Sequence, residues 1–475
     1  MPGKTKANFD IIFAAILFVS LSLLGIFINT TGDSGDSILH FLYSKYSFSH
    51  PEFFFHHWAK PLFVLLSSPF SQFGFKGIIV FNCLAVSLTC LFTYRTAKCL
   101  HIKHAWFVFV FILFCPLYFK LIFSGLTEYL FGLALILPVY LILKNKYTAA
   151  VIIASFSPFI RSEGLLILFV FALFLIGVKK YKLIPLLLTG HIIYSIAGFF
   201  YYKDFLWVFT KIPYRNLASP YGSGTILDFF HRLNYVIEKP VYLLLLIGII
   251  ALFYDLIRFR AQKFRNVEIF LVYGVFIVIF IAHSLFWWLG IFNSMGLPRV
   301  LIPVVPQIAL IALTGVNFLT SKLKPSVLKW ILPAIIGIIM VFPFTRRSEG
   351  VVFNKNLWSL PDNELIEKEV VPYLRQNFQN LNDRLLYYSQ GYFSVLLNID
   401  LFDASRHREM SRLSVENAPE GAIVIWDNWF SVVEHHISLE QLKHDKNLKL
   451  IREFTLQDNK RFIEFVVFTS TTGKN

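Results

Sequence analysis

Long uncharged apolar runs, separated by short polar and basic stretches, recur along the first three-quarters of the chain. Residues 11–29 carry no charge, and a helix of about 20 apolar residues crosses a bilayer. Further runs lie at 77–94, 105–119, 129–143, 147–160, 164–178, 183–202, 241–254, 269–292, 300–320 and 330–344. The pattern therefore predicts a polytopic α-helical membrane protein of about 11 spans. Several runs are only 14 or 15 residues long, so they must borrow from their flanks or sit where the bilayer thins. Residues 61–73 are apolar but too short to cross, and with prolines nearby they predict a juxtamembrane or re-entrant piece.

The character changes near residue 346. Asp362–Gln379 reads as an amphipathic helix opened by Pro361-Asp362. Leu385–Tyr388, Ala422–Trp426, Leu448–Phe454 and Phe462–Phe468 read as strands. The expected division is a transmembrane module over 1–345 and a small α/β domain over 346–475. Two longer polar loops interrupt the module, at about 30–60 and about 203–237. No internal repeat stands out.

Composition agrees. The chain of 475 residues is 56% hydrophobic, 17% aromatic and only 15% charged, with a mean hydropathy of +0.61. A soluble domain of this size could not hide that much apolar surface. Cys83, Cys90, Cys99 and Cys115 all fall in or beside apolar runs, so neither a disulfide framework nor a zinc spacing is indicated. The N-terminal Met-Pro-Gly-Lys-Thr-Lys resembles a signal-peptide n-region, but the run behind it is too long and lacks a small-residue cleavage site. A retained signal-anchor helix is expected.

The formal charge of +15 raises nucleic acid as a partner, but the distribution argues against it. Basic residues sit in short clusters between apolar runs: Arg95, Lys98 and Lys103; Lys144 and Lys146; Lys179, Lys180 and Lys182; Arg258, Arg260, Lys263 and Arg265; Lys322 and Lys324. That is a topology signal. A cytoplasmic N-terminus places every one of these clusters on the cytoplasmic side. The Asp33 loop, Glu128, Arg161, the 203–237 loop, Arg299 and the C-terminal domain then lie outside.

The candidate chemistry lies on that outer side. Asp33 and Asp36 stand three residues apart in Gly32-Asp33-Ser34-Gly35-Asp36. Their plain reading is solvated loop charge. Yet the loop lies between apolar segments, and Gly32 and Gly35 permit a sharply folded backbone, so a carboxylate here can act as general base on a hydroxyl. Two carboxylates can hold a divalent metal ion, but no complete oxygen cage is visible, and no cofactor is indicated. Lys60 and Arg299 each touch a proline at the boundary of an apolar segment. They either snorkel to the interface or clamp a phosphate as point charge and fork. His56 and His57 orient such a phosphate or pack as interfacial aromatics; a third zinc ligand is missing. Glu128 opens a membrane helix after Ser-Gly-Leu-Thr, where an acid is expensive unless functional. Arg161 and Glu163 read as a local pair capping a hairpin, and His283 as packing. No nucleotide-type Gly-rich loop is present, which disfavours a nucleotide-driven pump.

Taken together, these segments resemble the GT-C superfamily of integral-membrane glycosyltransferases, particularly its protein O-mannosyltransferase and aminoarabinose-transferase branch. The resemblance rests on the first-loop Asp33/Asp36 motif, Trp-x-Lys-Pro-Leu at Trp58 to Leu62, Leu-Thr-Glu at Glu128 with Arg-x-Glu-Gly at Arg161 to Gly164, and Pro-Arg-x-Leu-Ile-Pro at Pro298 to Pro303. It covers the chain to about residue 320 and places no motif in the C-terminal domain. The resemblance implies inverting transfer of a sugar from a polyprenyl-phosphate donor to a glycan, lipid or protein hydroxyl on the outer face. Carried over, Asp33 or Asp36 is the base, and Lys60 and Arg299 hold the donor phosphate. The residues themselves add Glu128 as a further catalytic candidate, and His56, His57 and Arg161 as further candidates for binding the donor phosphate. The bacterial inner membrane is the expected location, with the endoplasmic reticulum as the alternative. A polyprenyl-lipid flippase or a polysaccharide ligase is the competing function. The flippase calls for midplane polar groups or repeat symmetry, and neither is visible.

Overall fold

The computed structural model describes residues 4–213, 218–257, 265–345, 350–458 and 461–471. Arg258, Arg260 and Lys263 of the predicted basic clusters lie outside these residues, as do residues 1–3 of the signal-anchor and 214–217 of the second loop. The chain forms two compact units, Met1–Asn29 with Ser47–Leu357, and Thr30–Tyr46 with Trp358–Asn475.

The first unit is helical. Among the described residues, seven helices are long and apolar enough to cross a membrane: Phe9–Phe27, Phe75–Cys99, Tyr181–Tyr202, Asp228–Ile257, Val267–Leu289, Pro298–Thr320 and Pro325–Phe344. Glu128–Leu143, Tyr147–Phe159 and Gly164–Gly177 are shorter apolar helices. The predicted span 105–119 is split into Phe107–Leu113 and Pro116–Leu121. Pro116 has no N–H to continue the first helix and is preorganised to start the second. The segment expected not to cross is an 11-residue helix opened by Pro61.

The second polar loop is shorter than expected, because helix begins at Asp228. Phe229, Leu233, Val236 and Ile237 bury an apolar face there. A break at Glu238 (φ 61°, ψ 161°), just before Lys239-Pro240, had disguised that face as loop. Pro298–Thr320 is the most enclosed span. Phe9–Phe27 and Pro325–Phe344 expose most of their apolar residues, as lipid-facing helices do. Phe9–Phe27 is tied to Phe75–Cys99 at both ends. Arg95 pairs with Asp10 at 2.7 Å, and Lys76 Nζ donates to the Gly25 carbonyl at 3.1 Å.

The second unit is α/β. Its strands are β1 (Leu386–Tyr388), β2 (His407–Arg408), β3 (Ile423–Asp427), β4 (Leu448–Asp458) and β5 (Arg461–Ser470). They form one sheet in the order β2-β1-β3-β5-β4. β1 pairs parallel with β2 and β3, while β5 pairs antiparallel with β3 and β4. Every residue of β3 is buried, as suits a central strand. The four predicted strands are present, and β2 is an addition too short to show a pattern. The predicted amphipathic helix runs from Pro361 to Asn377 in three consecutive helical segments.

The first loop contributes a helix of its own, Asp36–Tyr46, to this unit. Ile38, Phe41 and Leu42 are fully or almost fully buried, at the i, i+3, i+4 spacing of one helical face. Gly391 gives this face its seat. A Cβ there would meet Ile38 Cγ2 at 3.2 Å and Leu42 Cδ1 at 3.5 Å. The Tyr43 and Phe402 rings pack at a tilt with centroids 4.6 Å apart, and Lys45 Nζ donates to Asn398 at 2.7 Å.

Candidate functional site

Three helical stretches of the first unit begin in one place: Glu128–Leu143, Gly164–Gly177 and the stretch from Pro298. Asn82, fully buried on Phe75–Cys99, fixes the turn before the first of them. Its Nδ2 donates to the Ser124 and Leu126 carbonyls at 2.7 and 3.0 Å. Gly164 is required at the second. A Cβ there would lie 2.3 Å from Pro158 N and from the Ser157 carbonyl carbon, so only glycine lets the turn at Arg161 close this tightly.

The side chains delivered to this point form a buried ionic cluster. Arg161 Nη1 pairs with Glu128 Oε1 at 2.9 Å and donates to Thr127 Oγ1 at 3.2 Å. Arg161 Nη2 and Nε both donate to Glu163 Oε1, at 2.8 and 3.2 Å. His283 Nε2 approaches Glu163 Oε1 at 3.3 Å, and Arg299 Nε lies 3.8 Å from Glu128 Oε1. The Glu128 side chain is only 2% exposed and the other four side chains 15% or less. Charges taken this far out of water persist only when paired. Every Arg161 nitrogen is engaged, and Glu128 Oε2 is buried without a hydrogen-bond partner. Burial alone would raise the Glu163 carboxyl, but Arg161 and then His283 outweigh it and hold it well below the usual carboxylate range.

The cluster brings together three of the predicted residues, Glu128, Arg161 and Arg299. It adds Glu163 and His283, which from sequence read as a cap and as packing. Thr127 and Asn82 gave no sequence signal, since buried threonine and asparagine in apolar helices are unremarkable until their partners are known.

Lys60 occupies the turn before Pro61. It adopts φ 67°, ψ 88°, the left-handed region, although it is not glycine. His56 and His57 occupy the same turn. Ala59 N donates to His56 Nδ1 at 3.3 Å, and the His57 ring lies 5.0 Å from that of Trp207. Burial first, and then the Lys60 charge, push His57 down to about 4 and His56 in the same direction. The turn is held by aromatics. Phe55 meets Trp207 edge-on, Tyr202 OH donates to the Phe55 carbonyl at 3.2 Å, and Leu62 packs against the Phe159, Tyr194 and Trp207 cluster. Phe159 lies two residues before Arg161.

Asp33 and Asp36 belong to the second unit. Asp33 Oδ1 accepts from Gly35 N and Ser37 N, both at 3.0 Å, and so caps the helix that Asp36 opens. Phe430 packs against Gly35 between them, 3.5 Å from where a Cβ would stand. Among the described residues no group of three His, Cys, Asp or Glu side chains is arranged to hold a metal ion.

No protein-family model matches the chain, and no curated protein matches its sequence. Solved structures do match its fold. ArnT from Cupriavidus metallidurans in the apo state aligns with a TM-score of 0.62 at 11% identity, over 95% of this chain and 97% of that one. The same protein bound to undecaprenyl phosphate aligns with a TM-score of 0.59, at the same identity and coverage. The chain shares the fold of these structures.

Proposed function

We propose that this chain transfers a sugar from a polyprenyl-phosphate carrier to a hydroxyl acceptor on the non-cytoplasmic face of a membrane. The observation that carries this reading is the buried cluster of Glu128, Arg161, Glu163, His283 and Arg299 at the start of three helices, within an ArnT-like fold. Helix N-termini and an arginine fork favour a phosphate anion. The same three helices run on to lysines, at Lys144, Lys179 with Lys180, and Lys322 with Lys324. By the positive-inside rule the lysine ends are cytoplasmic and the cluster faces outward.

The chemistry is a displacement. The acceptor oxygen attacks the anomeric carbon, and the bond from that carbon to the phosphate oxygen breaks. Its electron pair leaves with the polyprenyl phosphate, and the configuration inverts. Asp33, whose carboxylate is oriented by two backbone amides, takes the hydroxyl proton, with Asp36 as the alternative base. Lys60 and Arg299 face the charge that develops on the leaving phosphate. The leaving group is already good, so no strong general acid is required. Arg161, with all its nitrogens engaged, braces Glu128, which in turn faces Arg299, more readily than it binds phosphate itself. His57, neutral at pH 7, offers a hydrogen bond but no charge. In this reading the donor sugar is a hexose of the mannosyl type and the acceptor a glycan, lipid or protein. The chain sits in a bacterial inner membrane with its N-terminus cytoplasmic and its C-terminal domain outside.

The test is turnover by the purified full chain in liposomes containing radiolabelled polyprenyl-phosphate mannose and other hexoses. Release or transfer of labelled sugar is expected. Movement of the labelled lipid between leaflets with no sugar released would contradict the reading and mark a flippase.

A further inference from the structure

We propose that Asn363 of the C-terminal domain is a positioning residue for the Asp33 carboxylate, acting through Thr31. The inference rests on the glycosyl-transfer reading and assigns that domain a part in the reaction.

Asn363 and Thr31 are 5% and 3% exposed and lie in the same compact unit, although 332 residues separate them. Asn363 Nδ2 donates to Thr31 Oγ1 at 2.8 Å. Thr31 Oγ1 in turn donates to the Asp33 carbonyl at 2.6 Å. A hydroxyl has one proton and rotates freely until its lone pairs are engaged. The Asn363 amide engages one, and so directs the Thr31 proton at Asp33. Ser37 Oγ donates to the Thr31 carbonyl, while Gly35 N and Ser37 N donate to Asp33 Oδ1. The turn that aims the carboxylate is thus closed on itself and locked from one side by a single distant amide.

The lock is itself anchored. Asp362, next to Asn363, pairs with Arg461 at the start of β5. A second brace comes from the end of β3. There the buried Asp427 carboxylate accepts from Trp429 N at 3.0 Å and from Ser431 Oγ at 2.9 Å, and also accepts from Phe430 N. This fixes the turn that seats the Phe430 ring on Gly35. A turn of residues 30–36 rich in Gly and Ser would otherwise sample many conformations. Misplacing a catalytic group by about 1 Å costs on the order of 100-fold in rate.

The experiment compares wild type, Asn363→Leu, Thr31→Val and Thr31→Ser in the full chain. It measures kcat and KM for a polyprenyl-phosphate hexose, and amide hydrogen exchange over residues 30–38. Asn363→Leu and Thr31→Val are expected to lower kcat about 10- to 100-fold with KM for the donor nearly unchanged. Exchange over 30–38 should quicken in both, Thr31→Ser should retain wild-type kcat, and the Asn363→Leu/Thr31→Val double variant should be no slower than Thr31→Val. Wild-type kcat in Asn363→Leu, or unchanged exchange, overturns the proposal. If Asn363→Leu fails to fold, Thr31→Val decides it alone. If wild type turns over no donor, the functional reading fails, whereas unchanged exchange with an active wild type fails the relay alone.

Discussion

Glu128 and Arg161 hold each other at 2.9 Å with the carboxylate almost wholly enclosed, and each has a second partner of opposite charge. Removing Arg161 takes the nearest cation from two buried carboxylates at once, Glu128 and Glu163, which costs about 3–5 kcal/mol. Arg161→Gln is expected to destabilise the protein by that amount and to abolish transfer. Thermal unfolding in detergent measures it. A loss below about 1 kcal/mol would be the behaviour of an exposed pair.

Lys60 separates charge from backbone. Its left-handed conformation costs an L-residue about 1–2 kcal/mol, and glycine is free of that cost. Lys60→Gly is expected to be more stable than Lys60→Ala by about 1 kcal/mol, while both lose transfer by about 100-fold. Unfolding and donor turnover measured on the same two preparations check this. Activity retained in either variant would remove Lys60 from the phosphate site.

His57 gives the pH dependence a sign. Its folded value of about 4 lies below the ordinary 6.5. The folded ring resists a proton that the unfolded chain accepts, so its contribution is intact above about 6.5 and is lost as pH falls toward about 4. The wild-type melting temperature should therefore fall between pH 7 and pH 5 more steeply than that of His57→Phe, which keeps a ring against Trp207. Parallel curves for the two proteins would contradict it.

Much of this was legible in the sequence because apolar periodicity is a local signal. The apolar helices, the four predicted strands and the meeting of Glu128, Arg161 and Arg299 at one end of their helices follow from it. What was hidden depends on distant partners. The helix Asp36–Tyr46 carries its apolar face in plain view at Ile38, Phe41 and Leu42, but glycines and aspartates just before it read as loop. The Glu163–His283 approach joins residues 120 positions apart, and nothing in either neighbourhood names the other. The same holds for Asn363 and Thr31, whose hydrogen bond joins the first loop to the C-terminal domain across 332 positions.

The most direct measurement is transfer from radiolabelled polyprenyl-phosphate sugar by wild type, Asp33→Asn, Asp36→Asn and the double variant, each confirmed to fold and insert. Wild type is expected to transfer, and Asp33→Asn to lose transfer while still folding and inserting like wild type. Full activity in both single variants and in the double variant would contradict it.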